Sequence, residues 1–387
     1  MVDITLGRIH RGNKACRRRD LGATRRAMAT LSILIVLHDF ALGGTERIAV
    51  RLAEAWARRG VAVTIFAGSD AGPLQTLAGD AVEIVLASPP IPRARGSRIQ
   101  LARAVRRFVE LPKFDVVFIP GNFHWPVAAA LAGTDIPVVA QVSAALDKPQ
   151  RGRLRQWAFE RRMRYLLRRV QAVVALSDIA RDQADRILRR RVTTTIALPA
   201  LGDDAPPPMP IPDTLMPIVL AAGRLVPEKG FARLIDAFAR LPQDTARLVI
   251  VGEGPEAEAL ARQSESLGIA DRVELAGYVT DIRPWLDAAR LVVLASEFEG
   301  YPAVLVEALA AGRPVVATDC TPATRLLDTP SAGLVVPLND SESLARAIAT
   351  MLAQAPPDPE ALAALVDHHR IGSVARAYLD VFERVRS

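Results

Sequence analysis

Cysteine is nearly absent from this chain of 387 residues: Cys16 and Cys320 are the only two, and they lie far apart. Such a pair builds neither a disulfide framework nor a zinc site, and a reducing cytoplasm is the compartment to expect. Also missing is any uncharged apolar stretch approaching the roughly 18 residues that span a bilayer, so no membrane crossing is expected. The one run that imitates a targeting signal is Arg25-Arg26 followed by residues 27–37. It has no small-residue cleavage site directly after it and is interrupted by His38-Asp39, so it reads as a first buried strand.

Acidic charge is the minority, and the formal charge of +7 invites a nucleic-acid partner. Its distribution argues otherwise. Residues 1–28 carry eight Lys or Arg against Asp3 and Asp20, which is +6 and leaves about +1 for everything else. The excess belongs to a basic tail without apolar periodicity, read as disordered, in which Met28 is an alternative start. No nucleic-acid partner is expected.

What the chain does have is apolar residues, half of the total, enough for two or three domain cores. Short apolar runs at 32–37, 61–67, 81–87, 115–119, 137–142 and 172–176 alternate with helical lengths, the first helix covering 45–59. A second series begins at 218 and continues at 247–251, 272–275, 291–295 and 314–318, with closing helices at 341–352 and 371–386. Strands alternating with helices predict parallel α/β sheets. Between the series, residues 201–217 hold six prolines and mark a linker. The expected domains are therefore 29–200 and 218–387, with a cleft between them as the natural place for a ligand.

Residues 291–319 form the most informative stretch, a strand, loop, helix and strand. Pro302 suits a first helical position, Gly312 a cap and Pro314 a stop, so one helix is predicted over 302–311. The loop before it offers Glu299 and Gly300 at the carboxyl edge of a parallel sheet, where a helix N-terminus favours anions. Glu307 is the only charge in that helix. It either meets a ligand with two hydroxyls, such as a ribose, or marks the helix's single wet face. Arg224 and Lys229 leave the end of the strand at 218–222 together within residues 223–230, a fork of donors beside a compact charge. They suit two adjacent phosphates or are two surface cations of a solvated turn. Gly43-Gly44 opens the first helix as a nest or a plain turn. Gly252-Glu253-Gly254-Pro255 lacks the third glycine of a dinucleotide fingerprint, so an NAD site is not expected.

Glu299 and Glu307, eight apart with Gly300, Tyr301 and Pro302 after the first, resemble the Glu-x7-Glu motif of retaining glycosyltransferases with the GT-B fold, family 4, also called group 1. Residues 223–230 resemble that family's pyrophosphate-binding segment, and Gly43-Gly44 stands where members carry a glycine loop. The resemblance runs from residue 32 to about 385. It implies two Rossmann-like parallel-sheet domains facing a central cleft, a nucleotide-diphosphate sugar held mainly by the second and a glycan or polyprenyl-linked glycan acceptor entering from the first. It implies retention by attack on the face from which the phosphate departs, with Glu299, Arg224 and Lys229 as the catalytic set. The nucleotide would lie near Gly43, Gly44, Gly223, Gly252, Glu253, Gly254, Tyr278, Val279, Gly300, Tyr301, Pro302, Ala303 and Glu307. No Asp-x-Asp pair occurs, so neither an obligatory metal nor any other cofactor is expected.

One position departs from the family. Where members present a His after the fifth strand, this chain has Ser143, which bonds without charge; His38 and His124, at other strand ends, are the candidates to replace it. A nucleotide-sugar epimerase of the same fold and a sugar-nucleotide binder without transfer activity are the alternatives to a transferase. Finally, residues 151–169 interleave eight arginines with Trp157, Phe159, Met163, Tyr165, Leu166 and Leu167. That pattern is either a peripheral contact with an anionic membrane, on the inner face of the plasma membrane, or a solvated helix whose apolar stripe packs on its own domain.

Overall fold

The computed structural model describes residues 31–386 except 42, 111–112, 144–145 and 148–150; the basic tail with Met28 lies outside the described residues. The chain divides into two compact units, Met1–Pro199 with Val374–Ser387, and Ala200–Ser373.

The first unit runs β1 (Ser32–Leu37), α1 (Gly44–Ala57), β2 (Ala62–Ala67), β3 (Val82–Leu86), α2 (Ser97–Phe108), β4 (Val116–Ile119), α3 (Trp125–Ala130), β5 (Val138–Val142), α4 (Arg153–Leu166), β6 (Ala172–Ala175), α5 (Asp178–Leu188) and β7 (Thr193–Thr195). Its seven strands lie in the order β3-β2-β1-β4-β5-β6-β7, every neighbouring pair parallel. Of the run suspected of being a signal, residues 32–37 form the interior strand β1, in register with β2 from Ser32↔Ala62 and with every residue after Ser32 buried, while residues 27–30 lie outside the described residues.

The second unit runs β8 (Ile218–Ala222), α6 (Phe231–Phe238), β9 (Arg247–Val251), α7 (Ala257–Ser266), β10 (Val273–Gly277), α8 (Arg283–Ala288), β11 (Ala289–Leu294), α9 (Ala303–Ala310), β12 (Val315–Thr318), β13 (Gly333–Val336), α10 (Ser341–Ala353) and α11 (Pro359–Ala364). Its sheet has the order β10-β9-β8-β11-β12-β13, again parallel throughout. Both orders reverse direction beside the first strand of the unit, at β1/β4 and β8/β11. Loops diverge at such a point and leave a crevice at the carboxyl ends of the strands.

Three details differ from the sequence reading. Edge strands β7 and β13 were not expected. Three consecutive threonines give no apolar run, and β13 has only Leu334, Val335 and Val336 after its opening Gly333; a Cβ on that glycine would lie 1.8 Å from the Val315 carbonyl oxygen, so only glycine lets β13 pass β12. Pro302 is the residue before α9 rather than its first. The closing helix α12 (Ile371–Arg386) was placed with the second domain, yet from Val374 onward it belongs to the first unit. Trp56 is the cause: its indole donates to Ala375 O at 2.9 Å, and the rings of Phe118, Tyr378 and Phe382 surround it.

The proline-rich segment after Pro199 forms neither helix nor strand, as its composition predicts, but it is a strap held against the second unit. Leu201 bridges to Arg370, and Asp203 accepts from the Gly372 N–H at 2.8 Å. Arg283 donates to the carbonyls of Pro206 and Pro207, and Arg313 to that of Met209.

Candidate active site

The loops leaving β8 and β11 meet at the switch point of the second unit. A short turn, Pro227–Lys229, ends at Gly230, whose φ of 67° and place 2.1 Å (as a Cβ) from Ala295 O require glycine. That close approach brings the Lys229 ammonium into a salt bridge with Glu299 Oε1. The Ser296 hydroxyl donates to the same oxygen at 2.9 Å, the Glu299 N–H donates to Cys320 O at 3.1 Å, and the Glu297 N–H to Glu228 O at 2.9 Å. Both charged side chains are mostly shielded, 22% and 13% exposed, so their attraction is less screened than at the surface. Arg224 stands at the rim instead, 73% exposed, with Glu228 3.9 Å away. Lys229 and Glu299, expected in one site, are thus brought into contact, and Arg224, paired with Glu228 at the rim, stands exposed where a ligand can reach it. Cys320 is buried beside this pair, and burial pushes its thiol up to about 12.

The glycines of this edge have a packing role. Backbone bonds tie the loops after β8, β9 and β10 into a layer: Gly223 N–H to Val251 O, Leu225 N–H to Glu253 O and Gly252 N–H to Gly277 O, all 2.8–2.9 Å. A Cβ on Gly252 would stand 1.9 Å from Gly223 O, and one on Gly254 would stand 2.4 Å from Leu225 O. Exposed Glu253 and Tyr278 and half-buried Val279 lie on this layer. Gly252→Ala, forced against backbone at a φ of 143°, should cost about 2–3 kcal/mol and lower the melting temperature by roughly 4–10 °C, read by calorimetry.

Glu307, half-buried on α9, faces a cavity of about 580 Å³ that it shares with Leu201, Pro206, Asp281, Arg283 and Arg370. Neither Arg224, Lys229 nor Glu299 lines that cavity. Of the two glutamates of the motif, Glu299 thus lies at the switch point and Glu307 along the helix beside the strap. Among the described residues no side chain caps the start of α9, where Ala303 is exposed and Pro302 buried, and the first N–H groups of a helix favour an anion. Tyr301 is committed elsewhere: its hydroxyl lies 3.1 Å from His369 Nε2, and burial raises its pKa to about 12.

In the first unit His124 is corrected from candidate ligand to structural residue. It is buried, its Nδ1 bonds Pro120 O at 2.7 Å, and its Nε2 accepts the His38 N–H at 3.1 Å. With both nitrogens committed to backbone, nothing remains for a substrate. Burial lowers its pKa to about 4 and also lowers that of His38, which lies 3.5 Å from Asp39. An unfolded imidazole binds protons near 6.5, so between about 4 and 6.5 the unfolded state holds more of them. Stability is complete above that window and falls as pH drops through it. For His124 the loss should approach roughly 3 kcal/mol. The gap in unfolding free energy between parent and His124→Gln should therefore narrow from pH 7 to pH 4.5 in urea titrations, and a constant gap would disprove the neutral imidazole.

Sequence reasoning missed the group beside His38. Arg93 donates to both oxygens of Asp39 and, at 2.5 Å, to Glu46 Oε1 on the first turn of α1. Burial works against charge on Asp39, but Arg93 and the Ala41 N–H outweigh it and hold the carboxyl below its usual range. A Cβ on Gly43 would meet Glu46, whereas Gly44, at the helix start, meets nothing. No spacing signalled this, because Arg93 comes from a proline-broken segment. Ser143 is half-buried, its N–H donating to Asn122 Oδ1 at 3.3 Å.

Two parallel sheets of Rossmann-like order, a glycine-bearing loop after the first strand of each, and a Lys–Glu pair at the second switch point define a protein of the GT-B class. The crystal structure of Anabaena HepE in complex with UDP has this fold, matching with a TM-score of 0.72 over 92% of this chain and 100% of HepE at 20% identity. Residues 43–199 match the model described as "Glycosyl transferase 4-like domain", and residues 216–354 that of "Glycosyl transferases group 1". The chain belongs to the group 1 glycosyltransferase family. It is 38% identical over 137 residues to the lipopolysaccharide core biosynthesis glycosyltransferase LpsE of Rhizobium meliloti (strain 1021), covering 35% of this chain and 40% of LpsE, less than half of that relative's length. Over 326 residues it is 28% identical to the phosphatidyl-myo-inositol mannosyltransferase of Mycobacterium leprae (strain TN), covering 80% of this chain and 84% of that one.

Proposed function

We propose that this protein transfers a hexose, with retention of configuration, from a nucleotide-diphosphate sugar to a glycan or lipid-linked glycan. The observation that carries the reading is the Lys229–Glu299 pair at the switch point, eight residues before a glutamate that lines a cavity. Arg224 and Lys229 hold the diphosphate, Glu307 takes the ribose hydroxyls, and Glu299 sits beside the sugar. The bond from the anomeric carbon to the diphosphate oxygen breaks, the acceptor oxygen bonds that carbon on the same face, and the acceptor's proton passes to the departing phosphate. Lys229 stabilises the charge that grows on the leaving oxygens, and Glu299 offsets the positive charge on the sugar ring. Lipopolysaccharide core and phosphatidylinositol appear in the names of the two relatives, which favours an acceptor built on a lipid and work at the cytoplasmic face of a membrane.

A thermal-shift panel of UDP-, GDP- and ADP-sugars should single out the donor, because a ligand of the folded state raises the melting temperature with occupancy. Radiolabelled donor with a membrane extract should then label a lipid fraction, and the product anomer should match the donor's. An isomerised free sugar nucleotide would make the protein an epimerase, and binding without product a sensor. Because the cations are Arg224 and Lys229, chelation with EDTA should leave transfer unchanged; loss restored by a divalent cation would put a metal at the diphosphate.

A further inference from the structure

Helix α4 meets its own unit with one face only. Met163 and, just past the helix, Leu167 are fully buried, and Phe159 and Leu166 pack against the same core. The other apolar residues of the helix stay outside: Leu154 is 84% exposed, Trp157 58% and Tyr165 61%. Together with Arg161 they fall at 154, 157, 161 and 165, spacings of three and four that stack them in one outward row. The Arg161 guanidinium lies over the Trp157 ring at 5.0 Å and that of Arg168 over Tyr165 at 4.3 Å. Exposed Arg153 flanks the row on one side and exposed Arg155 and Arg162 on the other. The helix's own acid, Glu160, is turned inward to Gln156 and Arg186. Past the end of the helix, Arg168, Arg169 and Arg190 line, together with Asp135, a polar cavity of about 460 Å³.

We infer that this face of α4 is a docking surface for an anionic phospholipid bilayer. An apolar row with Trp and Tyr between arginines matches the boundary between headgroups and acyl chains: rings and Leu154 enter while guanidinium groups stay at the phosphates. A second copy of the chain fits badly, because a twofold contact would set these arginines against themselves. A nucleic acid would meet the arginines but leave Leu154 and Trp157 in water. No helix among the described residues is long and apolar enough to cross a membrane, so the contact is peripheral. The inference does not depend on the proposed activity, since its test reads binding and not transfer.

The test is sedimentation of the full chain with phosphatidylcholine vesicles and with vesicles that also contain phosphatidylglycerol. Binding to the anionic vesicles should be at least about tenfold tighter and weaken as salt is raised. Arg155→Gln with Arg162→Gln should reduce it about tenfold or more. Trp157→Ser with Tyr165→Ser should reduce it and abolish the blue shift of tryptophan emission on adding vesicles. Both doubles should melt as the parent does, because the replaced side chains are exposed, and Arg262→Gln on the second unit should bind like the parent. The basic tail is the same in every variant. Binding that both doubles leave intact would move the anchor to that tail and overturn the inference. So would equal binding to neutral vesicles, no binding at all, or a dimer in ultracentrifugation that the doubles dissolve.

Discussion

Replacing Lys229 by alanine should lower turnover by two to three orders of magnitude while raising the donor KM less than about tenfold. A partly shielded cation beside a bond that breaks toward phosphate acts mainly on charge that develops in the transition state, and one such preorganised contact is worth about 3–4 kcal/mol. In the resting protein Lys229 is neutralised by Glu299, so the donor must compete for the ammonium, which limits what the lysine adds to ground-state binding. Lys229→Arg should rescue little. The ammonium sits as a compact point charge on one oxygen of Glu299, and a planar fork does not replace a point charge there. Glu299→Gln keeps the shape and can still accept from Ser296, yet it leaves the lysine unpaired and should slow transfer about tenfold or more. The double variant should lose less than the product of the two single losses, because the partners act as one unit. Steady-state rates of the four variants decide the matter. Turnover within threefold of the parent for Lys229→Ala would remove the switch-point pair from the chemistry.

The alternation of apolar runs announced both parallel sheets, because strands buried on both faces must be Val-, Ile- and Leu-rich and leave an unmistakable period. Edge strand β7 escaped for the same reason: Thr193–Thr195 is only partly buried, so no apolar run marks it. The neighbourhood of Lys229 and Glu299 was legible because both follow central strands, whose loops must meet wherever the strand order reverses. What sequence could not supply was which partners a polar side chain finds. His124 looked like a ligand until both nitrogens were seen on backbone atoms, and Tyr301 until its hydroxyl met His369. The glycines at 252 and 254 have the spacing of a ligand loop, yet the neighbouring carbonyls alone already require them. The return of α12 to the first unit depends on Trp56, more than 300 positions earlier, a pairing that no local pattern encodes.

Arg313 carries the largest structural effect expected in the second unit, and nothing in the sequence marked it. It is fully buried between α9 and β12, and its guanidinium donates to Leu286 O and Met209 O at 2.7 Å, to Asp287 O at 2.9 Å and to Pro210 O at 3.4 Å. Burial works to lower its pKa, and the arrangement survives because carbonyl dipoles from α8 and the strap surround the charge. Arg313→Met would fill much of the volume but leave those carbonyls without donors. The expected cost is about 3–5 kcal/mol, or roughly 6–20 °C in melting temperature, and lysine should restore little because it lacks the planar fork. Since the strap residues Leu201 and Pro206 wall the cavity that Glu307 faces, donor affinity should also fall in Arg313→Met, by about tenfold, at temperatures where the protein remains folded. Glu307→Gln should weaken the same affinity without the loss of stability, as the amide offers the ribose fewer acceptors. Calorimetric melting beside donor titration separates the two variants. If Arg313→Met melts lower but binds donor as tightly as the parent, the strap is a structural brace and the cavity beside Glu307 is not where the nucleoside rests.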